Sequence, residues 1–369
     1  MNAAVPDTVP SPSNTVMRLA GLRERLRAQS LDAMLLTSLP SIRYMTGFTG
    51  SNALAVITRG GGVFVSDSRY RLQSAREVRR LRRVIGRAGL LEDAARARAL
   101  AGCRNAAFEA ETLSYAQYRS LKKLFPRVAF HPAPGIVEDL MLVKDPGEIG
   151  AIAAAARVAD RVFRDVLTTV RPGVTELDVA AEITWLTRRR GGTGDAFDVI
   201  VASGENGALP HARPGSRKLR GGDFVIMDFG AVVGGYCSDL TRTVCLGKPS
   251  RALKSAYDAV LEAHGAALEA ARGGVTARAL DGAARRRLRA RGFGRYFTHS
   301  LGHGLGLRIH ERPRVSPTSA ETLLPGCVIT IEPGVYLPGT GGVRIEDDVL
   351  LEPAGCRLLT SSPRDLILL

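Results

Sequence analysis

The residues best placed to do chemistry are acidic side chains standing inside otherwise apolar runs. Asp228 directly follows Phe224-Val225-Ile226-Met227, and Asp239 comes eleven residues later, beyond the Gly234-Gly235 turn. Glu332 directly follows Val328-Ile329-Thr330-Ile331, and Glu346 comes fourteen residues later, beyond the Pro338-Gly339-Thr340-Gly341-Gly342 turn. Each pair straddles a turn, so cross-strand neighbours can face one another, and each hairpin is expected to present two carboxylates to one site. Buried together, four carboxylates repel one another, and each loses its hydration unless cations or a metal compensate. Two divalent ions would supply that compensation. The competing reading places single members of the set in turns or at sheet edges, in water.

Histidines add to the set. Of six, His299, His303 and His310 fall in the one stretch HSLGHGLGLRIHE, and His211 follows Leu209-Pro210. One imidazole among four carboxylates is an oxygen-rich donor set that suits Mn(II) or Co(II) better than a sulfur-seeking metal. Gly302, Gly304 and Gly306 allow the backbone to pass tightly beside a site. His131 reads as a linker residue, His264 as a surface or packing residue of a helix, Trp185 as helix core and Cys237 as a small buried residue near the site. Asp67, Arg69 and Tyr70 read as a local ion pair with a packed aromatic, or else as a border of the pocket entrance.

These side chains need elements to carry them. The 369 residues, 45% hydrophobic and 24% charged, suffice for two packed domains and exclude a disordered or collagenous chain. Residues 1–15, rich in Pro, Ser and Asn, read as a disordered leader. Residues 16–139 alternate short β-branched runs with Arg-rich helical stretches, a small α/β domain that the prolines of Phe125–Pro134 are expected to end. Residues 140–369 hold four helical patterns, near 148–170, 176–190, 249–272 and 277–291, the second opened by Thr175 and Asp178 at capping-box spacing. Strand runs lie between and after them, so the larger domain is α+β, helices interleaved with antiparallel hairpins.

Charge and cysteine content set the remaining bounds. The net charge is +15, and with six lysines among 51 basic residues, 45 are arginine. Such a bias suits a G+C-rich genome and a solvated cationic surface as well as an anionic partner. Five cysteines without a C-x-x-C pair fit neither a disulfide framework nor a zinc ribbon, and point to a reducing cytoplasm. No apolar run is long enough to span a membrane. The DFG of 228–230 lacks the other kinase signatures, and His310-Glu311 is not H-E-x-x-H because residue 314 is Arg.

The stretches MDFGAVVGGYCSDLTRT, HSLGHGLGLRIHE, ITIEPGVYLPG and GGVRIEDDVLL together resemble the dinuclear metallopeptidases of the pita-bread fold, which include the aminopeptidase P, prolidase and methionine aminopeptidase families. RYMTGFTGSNA and VSDSRY are similar to the creatinase-type N-terminal domain of the first two, and KDPGEIGAIAAAARVAD to the first helix of the catalytic domain. The resemblance covers nearly the whole chain after the leader. It implies that Asp228, Asp239, His303, Glu332 and Glu346 bind two divalent ions, most simply Mn(II), with Co(II) and Zn(II) as alternatives. It assigns His211 and His310 to the scissile carbonyl, His299 and Arg344 to supporting positions, and Glu332 to proton transfer.

The activity implied is hydrolysis by a metal-bridging hydroxide of the bond between an N-terminal residue and a following proline, on a peptide with proline second. The Xaa-Pro aminopeptidase reading is preferred over a prolidase restricted to dipeptides. A reading from another class is a non-catalytic pita-bread protein that binds an anionic partner. Such relatives usually lack part of the ligand set, and all five positions are filled here, so no nucleic-acid partner is expected. A homodimer is the family's habit.

Overall fold

The computed structural model describes residues 12–369, which divide into two compact units, one closing at Met141 and one running from Leu142 to Leu369. Residues 1–11 of the expected leader lie outside the described residues. Its last four residues are helical, because Pro12 opens the helix Pro12–Ala28 and a missing N–H costs nothing in a first helical turn.

The first unit is built on a six-stranded mixed sheet, in the order Arg82–Gly86, Gly62–Asp67, Ala53–Thr58, Ala33–Leu36, Asn105–Phe108 and Ala129–Pro132. Its central strands are apolar on both faces, and Leu35, Val56, Val65, Ala106 and Leu121 share one core. The proline-bearing segment 125–134 carries the sheet's edge strand, whose last residue is Pro132, at an edge where a residue that cannot donate to the ladder is tolerated, and His131 is part of that strand rather than of a linker. Asp67 and Arg69 form a local ion pair at 2.9 Å, and Tyr70 packs edge-on against Phe48.

The second unit repeats one plan twice. Helices Pro146–Val166 and Glu176–Arg189 pack together and are followed by an antiparallel sheet of Ile200–Ser203, Phe224–Phe229 and Leu240–Cys245. Helices Arg251–Ala270 and Ala277–Ala290 do the same ahead of a sheet ordered Glu311–Val315, Gly302–Gly304, Val328–Ile331, Asp347–Glu352, Gly355–Leu358. Asp145 and Glu148 cap the first helix with a capping box, as Thr175 and Asp178 cap the second. Thr175 and Thr276, the caps of the two second helices, each make an isolated antiparallel bridge to a later segment, to Lys218 and Thr322. Four buried alanines in each of the first and third helices let them lie close on the sheets.

One expectation fails here. Trp185 is 54% exposed, with Arg189 over its ring, because the helix buries the face of Val179, Ile183 and Leu186 instead. Of the two readings of His264 the structure takes the packing one, since it is buried and faces Asp347 at 3.1 Å. Among the described residues, no helix is long and apolar enough to cross a membrane.

Candidate metal centre

Both sheets of the second unit end at one cavity of about 650 Å³, and all nine residues singled out in the sequence line it. Asp228 is the fifth residue of Phe224–Phe229 and Asp239 immediately precedes Leu240–Cys245. They are diagonal cross-strand neighbours, because the register sets Thr241 opposite Asp228. The other pair does face across its ladder. Ile331 opposite Asp347 and Gly334 opposite Arg344 continue one register, which puts Glu332 opposite Glu346.

The two halves are stitched at Thr241. Its hydroxyl donates to Glu346 Oε2 at 2.6 Å, and its carbonyl accepts from the Glu346 N–H at 3.1 Å. Arg242, with its side chain 1% exposed, uses every guanidinium N–H, donating to the carbonyls of Thr241, Glu346, Ser362 and Pro363 and to Asp347 Oδ1.

His303 comes from the strand Gly302–Gly304. A Cβ on Gly302 would meet Thr330 O at 2.0 Å and one on Gly304 would meet Arg312 O at 2.2 Å, so only glycine admits the neighbouring strands. The His303 Nδ1 lies 3.0 Å from Gly304 O, which places its proton there and leaves the Nε2 lone pair facing Asp239 Oδ2 at 3.6 Å and Glu332 Oε1 at 3.7 Å. Burial pulls the imidazole down to about 4, so it is neutral at physiological pH. Donor atoms of Asp239, His303 and Glu346 all lie within 4.8 Å of one another.

Arg344, on Asp228, is the one arginine against these four acidic side chains among the described residues, and it does not offset their burial and mutual repulsion. Burial, then the charges of Glu346 and Asp228, pushes the Asp239 carboxyl well above the usual range. Burial and Glu346 do the same to Glu332, and burial and Asp228 push Glu346 up to about 8. Asp228 Oδ1 and Asp239 Oδ1 are buried without a hydrogen-bond partner among the described residues. Orphaned carboxylate oxygens beside a neutral imidazole with a free lone pair are a donor set that divalent cations fit.

A second chain of contacts borders this set. His299 donates through Nδ1 to Ser300 O at 2.8 Å, and its Nε2 accepts from the Tyr336 hydroxyl at 2.8 Å. Arg344 donates to that hydroxyl at 2.8 Å and to Asp228 Oδ2 at 2.5 Å. Burial, then Arg344, pulls His299 down to about 4. Tyr336 was not among the residues singled out in the sequence. Its signal was four-residue spacing from Glu332 in a strand that returns to the same site. The His310 ring stands edge-on to His303 with centroids 4.3 Å apart, while His211 and Arg314 line the cavity from exposed positions. Cys237 is buried as expected, its thiol pushed up to about 12 by burial and then by Glu311.

Comparison with known proteins identifies the family. Residues 150–353 match the model of metallopeptidase family M24, and residues 18–143 that of the creatinase/prolidase N-terminal domain. The chain is 40% identical over 353 residues to the uncharacterized peptidase YqhT of Bacillus subtilis, covering 96% of this chain and 100% of that one. It superposes on an Xaa-Pro dipeptidase from Bacillus anthracis with a TM-score of 0.94 at 39% identity, over 96% of this chain and 100% of the other. It also superposes on an X-Pro aminopeptidase from Thermotoga maritima with a TM-score of 0.87 at 36% identity, over 94% and 99%. The fold is that of the pita-bread peptidases behind a creatinase-type domain, and the chain belongs to metallopeptidase family M24.

Proposed function

We propose that the chain is an Xaa-Pro aminopeptidase whose Asp228, Asp239, His303, Glu332 and Glu346 hold two divalent metal ions. The observation that carries this is the convergence of those five donors on one cavity, with two buried carboxylate oxygens left without a partner. Ions bound there supply a Lewis acid and a water that ionises near neutral pH. The chain's own residues do the rest. Glu332, within 3.9 Å of His299 Nδ1, moves the proton from water to the leaving nitrogen. His310 and His211 donate hydrogen bonds to the scissile carbonyl oxygen as charge develops on it. Arg344, itself held by Tyr336, keeps Asp228 aimed at the centre. Phe197, Ile200 and Ile309 give the cavity an apolar side suited to a proline ring.

A second reading, a dipeptidase, is favoured by Arg314, whose guanidinium lies on the cavity wall beside Ser300 and can bind the carboxylate of a dipeptide. The same reading of the family carries a homodimer in the cytoplasm and Mn(II) as the ion. One assay separates the possibilities: an Xaa-Pro dipeptide beside an Xaa-Pro-Xaa tripeptide, each with Mn(II), Co(II) and Zn(II). Efficient tripeptide cleavage is expected, and dipeptide cleavage alone replaces the aminopeptidase with the prolidase reading. Asp228→Ala and Glu332→Ala are expected to lose metal and activity while keeping the fold. Full activity in either would defeat the site assignment. Salt-dependent polyanion binding with no peptidase activity would replace the enzyme with a binding protein.

A further inference from the structure

The peptidase reading leaves one buried pair beside the cavity unused. Lys144 stands two residues after the second unit begins, and its Nζ lies 3.1 Å from Glu311 Oε2. Their side chains are 1% and 7% exposed, so both charges have left water. Such pairs do little for stability on balance, since apolar residues of similar volume serve about as well. What this pair does hold is a loop. The other Glu311 oxygen accepts from the Arg308 N–H at 3.0 Å, which closes 308–311 on itself.

Neighbouring contacts make the carboxylate's place obligatory. A Cβ on Gly306 would come within 2.5 Å of Glu311 Oε2, so glycine there leaves room for the carboxylate. The Gly306 N–H donates to Arg308 O at 3.0 Å and its carbonyl accepts from the Cys237 N–H at 2.8 Å, anchoring the loop at its start. Glu311 is paired with Gly304 across a ladder that shifts register between His303 and Gly304. That irregular stretch has no regular strand bonding to fix what it carries. Between Arg308 and Glu311 it carries His310, whose ring faces the cavity beside His303.

We propose that Lys144 and Glu311 are positioning residues that fix the loop 306–311 and so aim the His310 imidazole into the reaction cavity. Glu311 reaches the cavity wall and Lys144 does not, and neither is one of the five residues assigned to metal. The proposal rests on the Xaa-Pro peptidase reading for its kinetic arm only.

The test compares Lys144→Met, Glu311→Leu and the double variant in the full chain. Each single variant leaves one buried charge alone and is expected to lower the melting temperature. The double variant, with two apolar side chains, regains it. Its kcat stays about tenfold or more below wild type, with KM and bound metal within about twofold, because only the aim of His310 has changed. The His310 ring resonance of the metal-free chain, assigned through its loss in His310→Gln, shifts or broadens in the double variant. Wild-type kcat together with an unchanged His310 resonance would show that the pair only fills space. Should the double variant fail to regain its melting temperature, Glu311→Gln decides. It keeps the volume and the acceptor for Arg308, so a similar fall in kcat supports the proposal and wild-type kcat overturns it. If the wild-type chain cleaves no Xaa-Pro bond, the function is wrong and the resonance alone decides on the pair.

Discussion

Glu346 and Asp347 are chain neighbours, equally buried, and their carboxyl groups shift in opposite directions. Burial and the nearby Asp228 charge push Glu346 up to about 8. Burial pushes Asp347 up as well, but the Arg242 guanidinium and His264 outweigh it and hold the group well below the usual carboxylate range. Successive residues of a strand face opposite ways, so one backbone presents one carboxylate to the cavity and one to the packed interior. Asp347 there meets Arg242 at 2.7 Å, the Thr360 hydroxyl at 2.7 Å, His264 at 3.1 Å and Arg364 at 3.2 Å. Asp347 has its cations built into the chain, whereas Glu346 accepts from the Thr241 hydroxyl and faces the cavity.

That contrast breaks most readily at Arg242. Arg242→Met strips Asp347 of its main cation and is expected to cost about 3 to 5 kcal/mol of stability, measured by urea unfolding. A cost below about 1 kcal/mol would mean that the interior cluster is not scaffold after all.

A smaller effect tests the cavity side through pH. In metal-free protein, Glu346 titrates near 8 when folded but near its ordinary 4.5 when unfolded, so between those values the folded chain holds a proton that the unfolded one has released. Stability therefore falls as pH rises through that window, by on the order of a few kcal/mol, and levels off above it. Melting temperatures from pH 5 to 9 in a chelator should show this slope, and saturating Mn(II) should abolish or reverse it, since binding needs the ionised groups. Asp347 works the other way, its contribution being present above its unfolded value of 3.8 and lost on acidification. A flat chelator profile would remove the distinction between the two residues.

The smallest expected effect is a gain. Asp239→Asn removes one charge from the repelling set and should raise the stability of the metal-free chain by about 1 kcal/mol while lowering metal affinity. Loss of stability in the chelator would place Asp239 with Asp347, among the scaffold carboxylates.

The cavity side of this contrast was legible in the sequence and the interior side was not. Acidic residues after apolar runs announce themselves, because strand burial makes a carboxylate there anomalous. The capped helix starting at Glu176 was readable for a local reason, Thr175 and Asp178 lying three residues apart. Arg242, His264 and Asp347 meet from separate stretches of the chain, so no local spacing records their pairing. His264 consequently read as a surface or packing residue. That Asp228 and Asp239 are diagonal rather than direct neighbours is hidden from the sequence by the hairpin inserted between their strands. Trp185 is apolar yet exposed, because its helix spends its buried face on smaller side chains.

The exposed turn Gly247-Lys248-Pro249-Ser250 separates the two repeats of the second unit. Asp228 and Asp239 lie before it, and His303, Glu332 and Glu346 after it. Opening the backbone at that turn would yield two fragments, each with too few donors to capture an ion pair by itself. Under the proposed site, regained hydrolysis would then report their reunion, so the duplicated architecture offers a natural place to split the chain.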